Sequence, residues 1–141
     1  MLFCMSKKKI LVVDDVELMR KTMGDIVNSD PGLEVVGYAE DGMQAVKVAA
    51  DKHPDLILLD LEMPEWDGMG FLRHYRHQYE GKVIVLSAKV GGRLKPIGDA
   101  ALRSGADAVL EKPMGEADAA GKPSAESCKV IIDKIYEVLG G

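Results

Sequence analysis

Short apolar runs alternate five times with segments of helical periodicity, and this alternation constrains the fold more than any other feature. The runs are KILVV (9–13), LEVVGYA (33–39), DLILLD (55–60), KVIVLSA (82–88) and DAVLE (107–111). Their length and apolar character predict strands, and apolar residues spaced three and four apart between them predict helices. Strands that are each followed by a helix form a parallel sheet with right-handed crossovers. The sequence therefore predicts an α/β fold, a single-domain doubly wound five-stranded parallel sheet with five helices.

The segments between the runs divide into helices and loops. Asp41 and Asp67 stand where an aspartate side chain can cap the second and third helices. The stretch VGGRLKPIG (90–98) predicts a loop because of its glycines and proline, with a fourth helix from Ala100 to Ser104. Apolar residues between 128 and 139 follow the i, i+3, i+4, i+7 pattern and predict the last helix.

The composition fits one acidic domain. A chain of 141 residues can bury a core, and its hydrophobic share of 47% argues against disorder. The net charge of −5 argues against a nucleic-acid partner, and no apolar run reaches membrane-spanning length. Cys4 and Cys128 lie outside any CxxC pattern, so neither a disulfide framework nor a zinc site is indicated. We therefore expect a cytoplasmic protein without a membrane partner.

Reactive side chains stand where four of the predicted strands end. They are Asp14 and Asp15 after the first strand, Asp60 at the end of the third, Ser87 in the fourth and Lys112 after the fifth. In an open parallel sheet, the carboxyl ends of the strands meet along one edge, where ligands bind. The sequence therefore predicts that three acids, a hydroxyl and an ammonium group converge in one cleft.

This set of groups suits phosphoryl transfer with a metal ion. Carboxylates that lie close together repel one another, and a bound cation relieves the repulsion. Oxygen ligands favour Mg²⁺ or Mn²⁺, while Asp60 can also act as a nucleophile and form an aspartyl phosphate. Lys112 and Ser87 can pair with oxygens of the phosphoryl group. The chain has neither GxxxxGK[ST] nor GxGxxG, so the expected donor is a phosphorylated protein or a small reactive phosphate.

Four separate motifs resemble those of the response-regulator receiver domains of two-component signalling. The motifs are VVDD (12–15), LLDLEMPEWDG (58–68), VLSA (85–88) and EKP (111–113), in the family's order and spacing. Within the family, the pieces VVDDVELMRKTM, SDPGLEVVGYAEDG and GADAVLEKP most resemble the receiver half of chemotaxis methylesterases. The resemblance implies a flavodoxin-like sheet with strand order 2-1-3-4-5. It also implies a receiver domain over 9–141, preceded by an N-terminal extension over 1–8.

The resemblance also assigns roles to the strand-end residues. Asp60 would accept phosphate from a sensor histidine kinase or a phosphotransfer protein, with Ser87 and Lys112 contacting the phosphoryl group. The implied Mg²⁺ ligands are Asp14, Asp15, Asp60 and the backbone carbonyl of Glu62. The Lys112–Pro113 bond would be cis.

A phosphorylated receiver is expected to change the surface that it offers to partners. We expect Ser87 to move toward the phosphoryl group and the 90–98 loop to repack, which changes the face made by the fourth helix, fifth strand and fifth helix. That face would bind a downstream protein target or form a homodimer. Val109 departs from the pattern, because many receivers carry Tyr or Phe there. We expect no enzymatic turnover beyond self-phosphotransfer and autodephosphorylation.

Three other interpretations remain open. The chain can be a receiver fragment of a longer regulator such as a methylesterase, although nothing after Pro113 supplies that enzyme's Ser, His and Asp. An aspartate-nucleophile phosphatase would place a second acid where Glu62 stands, but it needs a cap domain for its substrate. A flavodoxin-like cofactor binder is weakened by acids at the point where an anionic phosphate would have to sit. Turnover of a phosphate monoester would favour the phosphatase, and stoichiometric labelling of Asp60 would favour the receiver.

Overall fold

A computed structural model describes residues 7–61, 68–87, 95–112 and 125–140, in which five strands alternate with five helices. The strands are β1 (Lys8–Val13), β2 (Leu33–Ala39), β3 (Leu56–Asp60), β4 (Lys82–Ser87) and β5 (Ala108–Glu111). The helices are α1 (Glu17–Asn28), α2 (Gly42–Lys52), α3 (Gly68–Tyr75), α4 (Lys95–Arg103) and α5 (Ala125–Gly140). A short 3-10 turn, Arg76–Gln78, follows α3.

The five strands form one parallel sheet in the order β2-β1-β3-β4-β5. The predicted α/β fold, with its flavodoxin-like strand order and five helices, is therefore confirmed. β3 lies at the centre, and all five of its residues are buried. A strand covered on both faces carries a continuous apolar run, which explains why LILL precedes Asp60 without polar alternation.

Two apolar clusters cover the two faces of this sheet. Alternate residues along each strand face opposite sides, so Leu11, Ile57 and Val85 belong to one cluster and Ile10, Leu58 and Ile84 to the other. Buried residues of α2, α3 and α4 complete the first cluster, and buried residues of α1 and α5 complete the second. Each buried Leu or Ile contributes about 1.5–3 kcal/mol. This burial holds the strands, and hence their carboxyl ends, in a rigid arrangement.

The fourth helix differs from the prediction. It begins at Lys95, inside the stretch 90–98 that was predicted as a loop. Pro96 is compatible with this start, because the first turn of a helix does not use the backbone N–H that proline lacks. The predicted loop can therefore extend only to residue 94.

The boundaries of the five strands agree with the prediction to within one residue in the described segments. β3 and β5 begin just after Asp55 and Asp107, whose side chains accept backbone hydrogen bonds. The predicted cap of α2 is confirmed, because Asp41 Oδ1 accepts from the Gln44 N–H at 2.8 Å. The predicted Asp67 cap and the Lys112–Pro113 bond lie outside the described residues. Within the described segments, no helix is long and apolar enough to cross a membrane.

Candidate functional site

Three carboxylates meet at the carboxyl edge of the sheet. Asp14 directly follows β1, and Asp60 is the last residue of β3. Both are 1% exposed, whereas Asp15 is exposed to solvent. The three residues can each offer a carboxylate oxygen such that these oxygens lie within 4.8 Å of one another. The parallel topology therefore brings together the acids that the sequence placed at two separate strand ends.

Hydrogen bonds from neighbouring backbone groups hold Asp14. Its N–H donates to the carbonyl of Ala39, at the end of β2, over 3.0 Å. Its Oδ1 accepts from the Val16 N–H at 2.9 Å. Its other oxygen, Oδ2, is buried and accepts no hydrogen bond from any described residue. A buried carboxylate oxygen in this state is costly unless a cation approaches it.

Lys112 supplies a positive charge inside this cluster. Its backbone N–H donates to the carbonyl of Ser87 at 2.7 Å, which ties the chain after β5 to the end of β4. Its Nζ lies 2.9 Å from Asp60 Oδ1 and 3.6 Å from Asp14 Oδ2. The Lys112 side chain is only 10% exposed, so the ion pairs are shielded from solvent. One ammonium group thus faces two buried carboxylates, and Asp15 adds a third negative charge nearby.

Ser87 lies at the same edge and is buried. It is the last residue of β4 and is 2% exposed. Asp60 pairs with Leu86 across the β3–β4 ladder, so Ser87 lies one position beyond the partner of Asp60. Val109 of β5 pairs with Val85 of β4. It is half-buried and packs against the core cluster that contains Leu59.

The electrostatics of the cluster favour binding of a cation. The pKa of Asp14 is raised from 3.8 to about 6, mainly because burial disfavours the charged carboxylate, while the Val16 N–H that bonds to it acts in the opposite direction. The negative charge of Asp60 also contributes to the raised pKa, and the ammonium group of Lys112 opposes it. A divalent cation would remove the penalty for ionising Asp14. Three clustered carboxylates, one of them with a buried oxygen that lacks a hydrogen bond, fit a hard cation such as Mg²⁺ or Mn²⁺.

The described structure brings four of the predicted site residues into one cluster, Asp14, Asp15, Asp60 and Lys112. Ser87 joins them at the same edge through its backbone bond to Lys112. Glu62, whose carbonyl was expected to bind the metal, lies outside the described residues.

One polar contact at the site was not predicted from the sequence. Arg20 Nη1 donates to the backbone carbonyl of Asp14 at 2.7 Å, from a position one turn into α1. The only signal in the sequence is a basic residue shortly after two strand-end acids, and that spacing also suits a solvated helix residue.

The fold and this cluster define a protein class that comparison with known sequences confirms. Residues 10–121 match the sequence model of the family described as "Response regulator receiver domain". The chain belongs to this family and is a receiver domain. The predicted likeness to the receiver half of chemotaxis methylesterases is also confirmed.

Individual relatives make that likeness concrete. A protein-glutamate methylesterase/protein-glutamine glutaminase of Pyrococcus horikoshii is 40% identical over 120 residues, covering 84% of this chain and 29% of the relative. The chain therefore spans less than a third of the length of that methylesterase. The crystal structure of the response regulator domain of Thermotoga maritima CheB has a TM-score of 0.82 and 32% identity, and the alignment covers 96% and 98% of the two chains.

A second solved structure to which the chain is similar contains a complex of two proteins. It is the crystal structure of the P1 domain of CheA3 in complex with CheY6 from R. sphaeroides. The matching chain has a TM-score of 0.77 and 31% identity, with coverage of 96% of this chain and 99% of that chain.

Proposed function

We propose that Asp60 accepts a phosphoryl group from a sensor histidine kinase or a phosphotransfer protein, and that this switches the chain's affinity for a partner protein. The observation that carries the proposal is the contact of buried Asp60 with Lys112, 2.9 Å away, beside two further carboxylates. A lysine held against a carboxylate at a sheet edge suits a site that must receive a negatively charged group. The chemotaxis-type relatives support a chemotaxis pathway.

The transfer step exchanges one phosphorus bond for another. An oxygen of Asp60 attacks the phosphorus, an O–P bond forms, and the N–P bond of the donor phosphohistidine breaks. The electron pair of that bond stays on the imidazole nitrogen of the donor. Lys112 Nζ, already between Asp60 Oδ1 and Asp14 Oδ2, pairs with an oxygen of the incoming group, and the Ser87 hydroxyl donates to another.

Asp14, Asp15 and Asp60 would hold Mg²⁺, with Mn²⁺ as the other cation that their oxygens suit. The backbone carbonyl of Glu62 is the fourth ligand that we propose. When bound, the ion neutralises charge on the phosphoryl group and on the acids around it. The fold positions Asp14 as a metal ligand, because hydrogen bonds to Ala39 and Val16 fix this residue before any ion binds.

The proposed donor follows from the kind of partner seen with a relative. The structure of CheY6 contains the P1 domain of CheA3 as its partner. We propose that a corresponding phosphotransfer domain docks here at the carboxyl edge. The face made by α4, β5 and α5 is proposed as the surface that changes, toward a protein target or a second copy of this chain.

Labelling with a small phosphoryl donor tests the proposal. The protein is incubated with acetyl phosphate and Mg²⁺, and its intact mass and oligomer size are measured for wild type, Asp60→Asn and Asp55→Asn. Asp55 is the matched control, because it lies at the opposite end of β3. We expect one phosphoryl group per chain in wild type and in Asp55→Asn, and none in Asp60→Asn. Chelation of Mg²⁺ should prevent labelling of every variant.

Two results would contradict the proposal. Full labelling of Asp60→Asn would place the phosphoryl group on another residue. Sustained hydrolysis of a phosphate monoester, with no stoichiometric adduct, would support an aspartate-nucleophile phosphatase instead.

The relatives support a second proposal, about the setting of the domain. The matched methylesterases are more than three times as long as the part that this chain covers. We propose that 9–141 is a receiver domain, with 1–8 as an extension, and that it belongs to a longer chain in which it regulates a methylesterase. Genomic sequence on both sides of the reading frame tests this directly, and a frame without any methylesterase segment would contradict it.

A further inference from the structure

A side chain from α1 holds the backbone of Asp14. Arg20 Nη1 donates to the Asp14 carbonyl oxygen at 2.7 Å, and the two residues are six positions apart. Asp14 has left the β1 ladder and is only 1% exposed. A carbonyl of such a residue needs a donor from within the protein. Arg20 provides that donor at the point where the chain turns from the strand toward the helix.

With this bond, Asp14 is attached at three points. Its N–H donates to Ala39, its Oδ1 accepts from Val16, and its carbonyl accepts from Arg20. The remaining oxygen, Oδ2, lies 3.6 Å from Lys112 Nζ. The turn from Asp14 to Val16 is therefore fixed between β2 and α1, and this turn also carries Asp15.

The guanidinium group of Arg20 is itself oriented. The side chain is 15% exposed, and Nη2 lies 3.8 Å from Oε1 of Glu40. Glu40 is 61% exposed, and its N–H donates to Gln44 Oε1 at 3.1 Å. An ion pair this long and this exposed contributes little energy, so the bond to Asp14 is the stronger contact. The planar guanidinium group can contact the Asp14 carbonyl and Glu40 at the same time through different nitrogens, which the single nitrogen of an ammonium group does less well.

We propose that Arg20 is a positioning residue for the metal-binding acids, acting on Asp14 and Asp15 through the Asp14 carbonyl. The inference rests on the proposed function, because it assumes that these acids bind Mg²⁺. Arg20 itself contacts neither the ion nor the phosphoryl group. Residues that orient metal ligands by hydrogen bonds change metal affinity by about 10–100-fold when they are removed.

Mg²⁺ affinity is the first measurement. Isothermal titration gives the dissociation constant for wild type, Arg20→Met, Arg20→Lys and Arg73→Met. Arg73 is the charge-matched control, because it is exposed on α3. We expect Arg20→Met to weaken Mg²⁺ binding about 10-fold, near the lower end for residues that orient ligands. Arg20→Lys should fall between Arg20→Met and wild type, and Arg73→Met should match wild type.

A second measurement needs no metal. In a chelator, hydrogen exchange of the Val16 amide reports on its bond to Asp14 Oδ1. We expect faster exchange in Arg20→Met than in wild type and no change in Arg73→Met. At saturating Mg²⁺, labelling of Arg20→Met by acetyl phosphate should return to the wild-type rate. A loss of folding would instead lower the amplitude of labelling at every Mg²⁺ concentration.

The outcomes separate the two proposals. Wild-type Mg²⁺ affinity in folded Arg20→Met, or an equal loss in Arg73→Met, would overturn the role of Arg20 and leave the proposed function intact. Wild-type protein that binds no Mg²⁺ would overturn both. If Arg20→Met does not fold, Arg20→Lys and Arg20→Gln carry the same comparison. Wild-type affinity in both of these would then overturn the role of Arg20.

Discussion

The two ends of the sheet use the same residue type in opposite ways. At the amino end, Asp55 Oδ2 accepts from the Lys9 N–H and Asp107 Oδ2 from the Val83 N–H, each at 2.8 Å. At the carboxyl end, Asp14 and Asp60 are buried against each other and against Lys112. An acid at a strand's start therefore completes backbone hydrogen bonding, while the acids at the carboxyl edge accumulate negative charge.

The amino end is also closed by uncharged and cationic groups. Arg76 donates to the carbonyls of Gly105 and Tyr79 at 2.7 and 2.8 Å, and its Nη2 lies 3.2 Å from Asp107. The Tyr79 hydroxyl donates to the Pro54 carbonyl at 2.8 Å, and burial raises its pKa, so it stays a donor. A cleft of about 630 Å³ lies at this end, lined by Asp55 among others. Its size does not make it the reactive site, because none of Asp14, Asp15, Asp60 and Lys112 lines it.

Removal of Lys112 should have the largest effect on stability and should separate the two ends most clearly. Lys112→Met leaves two buried carboxylates without their shared cation, which should lower the free energy of unfolding by about 3 kcal/mol in a chelator. Added Mg²⁺ should restore part of the loss, because it can replace the missing positive charge. Urea unfolding at pH 7 with and without Mg²⁺ measures both effects.

An exposed lysine gives the control for that variant. Lys129 forms a solvent-exposed pair with Asp133 one turn along α5. Lys129→Met should leave the unfolding curve unchanged with or without Mg²⁺, because exposed pairs contribute little. Equal destabilisation by the two variants would mean that burial at the carboxyl edge has no special cost.

A change at the amino end should be smaller and independent of metal. Asp107→Ala removes the acceptor of the Val83 N–H and the partner of Arg76. We expect a loss of about 2 kcal/mol, the usual effect of leaving a partly buried donor unsatisfied. The loss should be the same in Mg²⁺ and in chelator by urea unfolding. A loss of stability that depends on Mg²⁺ would contradict the claim that only the carboxyl edge of the sheet binds a cation.

Replacement of Asp14 should have the smallest effect on stability, and it should raise the free energy of unfolding rather than lower it. The folded-state pKa of Asp14 is about 6 against 3.8 for the unfolded chain, so its contribution to stability is fully present below pH 3.8 and lost as pH rises through 6. Asp14→Asn should therefore stabilise the metal-free protein by about 1 kcal/mol at pH 7, since each pKa unit is worth about 1.4 kcal/mol and the asparagine amide replaces the neutral carboxyl group imperfectly, so that only part of the gain is kept. The gain should vanish near pH 4 in unfolding curves.

Sequence patterns predicted most of the fold because burial governs it. The central run LILL before Asp60 is apolar on both faces, and that pattern has few structural solutions besides a covered parallel strand. The predicted start of α4 was wrong. Gly and Pro also occur in the first turns of helices, and only tertiary packing decides between a loop and a helix there. The roles of Asp55 and Asp107 were invisible, since a side chain that bonds the backbone of a neighbouring strand leaves no periodic signal.

The sequence predicted which residues form the site, but it did not predict the contacts that they make there. Asp14, Asp60 and Lys112 could be grouped because parallel strands must end at one edge. Which oxygen of Asp60 meets Lys112, and that Arg20 holds the Asp14 carbonyl, depend on rotamers that no spacing specifies. The ligand role of Glu62 remains a prediction.

One titration compares the two edges directly. Backbone amide chemical shifts of ¹⁵N-labelled protein are followed as Mg²⁺ is added to a metal-free sample. Saturable shifts are predicted for Asp14, Asp15 and Asp60, with Asp55 and Asp107 unmoved as internal controls. Shifts of equal size at both edges, or no saturable shift at the carboxyl edge, would contradict the claim that its three acids form a cation site.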